Sequence, residues 1–236
     1  MKRSLAATRE ALRRLFFQRC FYLFFTMLAL VAIAPFIDPL RDGALLRNLI
    51  NAFVILSAVA AVGRSTVSFL VVLALAAPAL VFRWLSIESD NPAFFDLSLR
   101  LDAAVYAATI VLLLRYVFDR EVMTADRLWG AAAAYLMIGV LWSFLYTIVD
   151  RAAPNSFAVG GETESLQLLD VFYFSFATLT SNGFGDIVPL TPAARTAFVV
   201  EAIIGQLFLA ILIAKLVGVY PPPHEELSPT APVETS

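Results

Sequence analysis

Cysteine and histidine are almost absent from this chain: Cys20 and His224 are the only ones in 236 residues. A lone cysteine cannot close an intrachain disulfide, and no His/Cys cluster with metal-ligand spacing can be drawn. Charge is scarce too, at 15% of residues with a formal net charge of -2, and the basic residues gather at the N-terminus instead of forming a patch with aromatics. That pattern gives no reason to expect a nucleic-acid partner. Neither a nucleophile–base pair nor a metal-ligand set is present, so no enzyme, no cofactor and no soluble ligand are expected. What remains is apolar: 60% of the residues are hydrophobic. A chain this apolar cannot sustain one solvated shell around one core, and a polytopic membrane protein is the expected class.

Residues 1–19 carry Lys2, Arg3, Arg9, Arg13, Arg14 and Arg19 against the single acid Glu10, with Leu5, Leu12, Leu15 and Phe16 at roughly helical spacing. They read as a basic amphipathic lead-in at the cytoplasmic face. Six apolar spans follow, at about 20–37, 44–63, 65–82, 97–118, 125–149 and 193–219, each near the roughly 20 residues that cross the hydrocarbon. The first four, over 20–118, form a peripheral helical domain. Residues 119–127 are a charged linker in which Thr124 or Asp126 suits a helix cap, residues 128–219 are the last unit, and 220–236 lack apolar periodicity and read as a disordered cytoplasmic tail. Residues 83–96 and 150–168 are read as loops. With the N-terminus inside, eleven of the seventeen Lys and Arg fall on cytoplasmic segments. The chain is therefore predicted to be a multi-pass protein of the cell (inner) membrane with both termini cytoplasmic.

Between spans five and six lies a short apolar stretch predicted as a helix over 169–180, with Asp170 placed where the helix dipole favours a carboxylate. The polar stretch Thr178-Leu179-Thr180-Ser181-Asn182-Gly183-Phe184-Gly185-Asp186 follows it. Gly183 and Gly185 permit left-handed backbone angles, so this stretch suits a chain whose successive carbonyl oxygens point one way, and such a row can replace the water around a cation. The competing reading is a plain turn, since Asn182-Gly183 is a strong hairpin dipeptide. The helix before it, the acid after it and the spans on either side are features that a surface turn does not need.

Ser181-Asn182-Gly183-Phe184-Gly185-Asp186 resembles the potassium-channel filter, whose usual pattern is Thr-Val-Gly-Tyr-Gly-Asp. The flanks Val171-Phe172-Tyr173-Phe174-Ser175-Phe176 and Ile187-Val188-Pro189-Leu190-Thr191-Pro192 fit the same family, and residues 121–219 together resemble the pore module of small bacterial potassium-channel-like proteins. The resemblance implies an all-α membrane protein of six transmembrane helices, with a re-entrant pore helix and selectivity filter between helices five and six. It implies potassium as the permeant ion, bound at the carbonyls of Ser181, Asn182, Gly183 and Phe184 with Gly185 completing the filter and the Ser181 hydroxyl completing the innermost site. Thr180, Asp186 and Tyr173 would support the filter, Tyr173 as a hydroxyl partner of Asp186. Gly205, Gln206 and Glu201 would serve the inner helix and cavity. Gly205 stands either at a hinge or at a close helix contact, and Glu201 either at a functional intramembrane site or in a bond behind the filter.

The sequence departs from the usual filter in three places. Serine for threonine keeps the hydroxyl, and phenylalanine for tyrosine occurs in ether-a-go-go relatives. Asn182 puts an amide where an apolar side chain normally packs behind the filter, which bears on potassium-over-sodium selectivity. Because one chain supplies one filter strand and a bare cation needs a closed ring, a homotetramer embedded in membrane lipid is expected. Span four offers only Arg100 and Arg115 at its two ends, so voltage dependence of the four-helix type is expected to be weak. A poorly selective cation channel is the alternative within the class. The alternatives outside it are a non-conducting scaffold and a transporter built on broken helices, although the interruption here is single and transporters usually show two.

Overall fold

The computed structural model describes residues 19–37, 49, 51–55, 57–58, 66–89, 91–119 and 124–219. The described chain is mostly helical: α1 (Arg19–Ile37), α2 (Thr66–Glu88), α3 (Pro92–Val117), α4 (Ala125–Ala152), β1 (Phe157–Val159), β2 (Glu162–Thr163), α5 (Leu168–Leu179), β3 (Ile187–Pro189) and α6 (Pro192–Val219). Among the described residues, four helices, α2, α3, α4 and α6, are long and apolar enough to cross a membrane. The basic lead-in, the tail from 220 and most of the expected second span lie outside the described residues, although residues 51–55 and 57–58 within that span are helical.

Two expectations are corrected here. The loop expected over 83–96 shrinks to three residues, because α2 continues to Glu88 and α3 begins at Pro92, five residues before the expected start of span four. The reason is local: the Asn91 side chain accepts from Ala93 N at 3.0 Å as an N-cap, and Pro92 sits in the first turn, where its missing N–H costs nothing. The second correction is that the protein is not purely α. Gly160 (φ 60°) and Gly161 (φ 93°) make a two-residue turn between β1 and β2, and β1 pairs antiparallel with β3, Ala158 facing Val188. Both central turn residues require positive φ, which glycine adopts without strain.

α3 packs against α2 on one side and α4 on the other, α1 lies on α4, and α5 is held between α4 and α6. Between apolar helices in a membrane, close packing and polar pairing hold the contact where the hydrophobic effect cannot. Gly130 shows the first, since a Cβ there would meet Val117 at 3.2 Å and the Cys20 sulfur at 3.3 Å. Asp126 shows the second: its carboxylate accepts from Cys20 N at 3.1 Å and from the Tyr116 hydroxyl at 2.9 Å, tying α1, α3 and α4 together. Thr124, one of the two expected caps, accepts from Arg127 N at 3.4 Å and starts α4. At the same end Lys215 of α6 donates to the carbonyls of Val117 at 2.7 Å and Asp119 at 3.0 Å, closing the C-terminus of α3. The ends of α3 and α6 and the start of α4 therefore share one side, while residues 150–168 and the strands lie at the opposite end of α4.

A polar pair missed in the sequence sits inside the peripheral helices. Arg83 of α2 donates to Asp102 of α3 at 3.1 Å, with Asp102 fully buried, and nearby the Tyr106 hydroxyl reaches Asn51 Oδ1 at 3.4 Å. Breaking a buried pair by deleting one partner leaves an uncompensated charge, at about 3–5 kcal/mol. Arg83→Ala is expected to lower the thermal midpoint of the purified protein sharply. Adding Asp102→Asn to it should recover part of the loss, and a single variant as stable as wild type would refute this assignment.

Candidate functional site

The loop after α5 has an unusual backbone. Ser181 (φ 60°), Gly183 (φ 45°) and Gly185 (φ 80°) take positive φ at alternate positions. A chain that alternates in handedness turns its N–H groups to one side and its carbonyls to the other. The N–H groups are in fact engaged behind: Ser181 N donates to Thr178 O at 2.9 Å, and Asn182 N and Gly183 N donate to Ala177 O at 2.9 and 3.3 Å. Their carbonyls are left free of the helix that carries them.

Both ends of the loop are fixed. On the α5 side, Asp170 accepts from Gln167 N at 2.9 Å at the start of the helix, while Thr180 donates its hydroxyl to Phe176 O at 2.7 Å at its end. The last helical carbonyl, that of Leu179, accepts from the Tyr135 hydroxyl of α4 at 3.1 Å. A Cβ added at Gly205 of α6 would run into this same carbonyl oxygen. On the outgoing side, Asp186 O accepts from Gly160 N at 2.8 Å and Leu190 N donates to Ser156 O at 2.8 Å, so the β1–β3 pairing clamps the segment as it leaves the loop.

Behind the loop lies an aromatic cluster of Tyr146, Phe157, Phe174 and Phe198, with ring centroids 4.9 Å apart for Tyr146–Phe174 and 5.5 Å for Phe157–Phe174. Such contacts are each worth about 0.5–1.5 kcal/mol beyond the area they bury, and they connect α4, β1, α5 and α6 into one block. Tyr173 faces the other way: its ring stacks on that of Phe184 at 6.3 Å and 13°. Its hydroxyl, a donor at neutral pH like any phenol, is hydrogen-bonded to the Asp186 carboxylate.

Gln206 donates from Nε2 to Ser181 Oγ at 2.6 Å, joining α6 to the first residue of the loop. Gly205 is buried within an unbroken α6. Glu201, for which the sequence left open a functional intramembrane site or a bond behind the filter, is fully buried against α4 and α5, where its carboxyl oxygens meet the hydroxyls of Ser175 and Tyr146. Asn182, expected to point behind the filter, is exposed in the single chain. Ser175, Tyr146, Tyr135 and Gly139 were not read as site residues; the available signal was a serine inside the otherwise apolar run of α5.

Residues 131–220 match the family described as ion channel. That segment contains α5, the loop with alternating handedness and α6. Over this segment the chain is similar to ion channels. The inward rectifier potassium channel Kirbac3.1 of Paramagnetospirillum magnetotacticum is 31% identical over 81 residues, covering 33% of this chain and 24% of that one. The chain thus matches about a quarter of that relative's length. Both matches are to channels and neither is to an enzyme. No solved structure matches significantly. Within the matched segment, α5 and the loop after it are held between α4 and α6.

Proposed function

We propose that this protein is one subunit of a homotetrameric six-span cation channel that passes potassium passively through a ring of backbone carbonyls. The observation that carries the reading is the alternation of positive φ at Ser181, Gly183 and Gly185 at the end of a short helix held between α4 and α6. Four copies around an axis would surround a cation with carbonyls from Ser181, Asn182, Gly183 and Phe184, while the C-termini of four α5 helices would aim partial negative charge at the membrane centre. The re-entrant course of α5, the outward-facing filter and the cytoplasmic termini belong to the same reading, as does the inner membrane as its location. The shared end of α3 and α6 at Lys215 supports this topology, since it puts the filter loop toward the opposite end of the helices.

Selectivity is the exposed part of the proposal. In planar bilayers under a tenfold potassium gradient against sodium, a fully selective pore reverses about 59 mV from zero, the value for a singly charged species. Asn182→Val is expected to move the reversal potential toward that limit, because valine removes an amide from the wall of the filter. A wild-type reversal near zero would favour the poorly selective alternative, and no current at all would overturn the channel reading.

A further inference from the structure

Ser175 Oγ lies 2.7 Å from the Gly139 carbonyl oxygen and 2.6 Å from Glu201 Oε1. A serine hydroxyl has one proton to donate, and a carbonyl oxygen has none. The Gly139 oxygen can only accept, so both short contacts hold a proton only when Ser175 donates to Gly139. The contact between Ser175 and Glu201 then holds a hydrogen only if the carboxyl supplies it. On the other carboxyl oxygen the Tyr146 hydroxyl donates to Oε2, and Tyr146 is itself hydrogen-bonded by Thr178.

We propose that Glu201 is a neutral carboxylic acid that donates to Ser175 and, through Ser175 and Tyr146, positions α5 and hence the filter. The hydrogen-bond chain Glu201–Ser175–Gly139 then has a proton in every link and crosses from α6 through α5 to α4. Ionisation would break it. A carboxylate would claim the Ser175 proton, the Gly139 carbonyl would lose its side-chain donor and with it the link from α5 to α4, and a charge would be left in a fully buried site within the membrane. The titratable groups that face Glu201 are Tyr146 and Tyr135, both from α4. From α5 come the hydroxyls of Ser175 and Thr178, and among the described residues no basic side chain pairs with the carboxyl. Glu201 is thus a positioning residue and touches no permeating ion; this inference rests on the channel reading for its effect on flux, but not for the proton itself.

Infrared difference spectra of reconstituted full-length protein test the proton directly. Wild type minus Glu201→Gln should contain the carbonyl stretch of a protonated carboxylic acid, and Ser175→Ala should shift that band without removing it. The glutamine amide can donate to Ser175 as the acid does, so Glu201→Gln should keep rubidium uptake near wild type. Glu201→Ala should lose about tenfold, the effect of one buried hydrogen bond near the upper end of its usual worth. Raising the pH should lower wild-type uptake reversibly and leave Glu201→Gln flat. Carboxylate bands alone in the wild type, or a glutamine variant as impaired as the alanine one, would overturn the proposal. Where Glu201→Gln fails to fold, the band and its shift in Ser175→Ala still decide it, and a wild type that shows the band but no uptake would defeat the channel reading alone.

Discussion

Gly183→Val is expected to reduce rubidium uptake by reconstituted protein to the level of empty liposomes while leaving its helical circular dichroism unchanged. The cause is backbone conformation and not crowding: no atom lies within 4 Å of a Cβ added at Gly183, but its φ is +45°. A β-branched residue at that angle is a strained outlier, at roughly 1–3 kcal/mol per position, and the loop relieves the strain by abandoning the alternation. In a ring of four the penalty would recur in every subunit, whereas one rotated carbonyl already breaks a coordination layer. Gly218→Ala is the matched control, since its Cβ also meets nothing within 4 Å and its φ is not positive. Equal uptake by Gly183→Val and wild type would remove the filter from this account.

Gly205→Val should have the second largest effect, by the opposite cause. Here the added Cβ meets the backbone oxygen of Leu179, which unlike the Leu179 side chain at 3.1 Å cannot swing aside. Overpacking of this kind typically costs about 1–3 kcal/mol. It would push α6 away from the end of α5, carrying Gln206 off Ser181 and straining the Tyr135 bond to Leu179 O. Both thermal stability and uptake are expected to fall, and Gly205→Ala should show a smaller version of each. A glycine serving only as a hinge would change gating and leave the thermal midpoint alone. The measurement therefore separates the two roles that the sequence left open for Gly205.

The parts of the fold that could be read from the sequence are those fixed by local chemistry. The bounds of α4, α5 and α6 follow from apolar length and a threonine cap, and they fall within three residues of expectation. The alternation at 181, 183 and 185 was readable in outline because two of its three positions are glycines; Ser181 was not, since a positive φ at serine is imposed by the bonds from 181–183 back to α5. Asn91-Pro92 and Gly160-Gly161 are local signals as well, and they mark a helix start and a hairpin turn that a reading guided by hydropathy alone passed over. The polar contacts inside the bundle are different in kind. Arg83 finds Asp102 only because α2 and α3 pack, and Ser175, Tyr146 and Glu201 meet only where three helices converge, at separations of 26 and 55 residues. No local pattern encodes such a meeting.

The most direct measurement is the position of a heavy permeant ion in the assembled protein. Purified, membrane-reconstituted protein in thallium should show a column of anomalous peaks on a fourfold axis, flanked by the carbonyls of Ser181, Asn182, Gly183 and Phe184. Thallium bound elsewhere, or loops 181–185 lying apart from any common axis, would contradict the account.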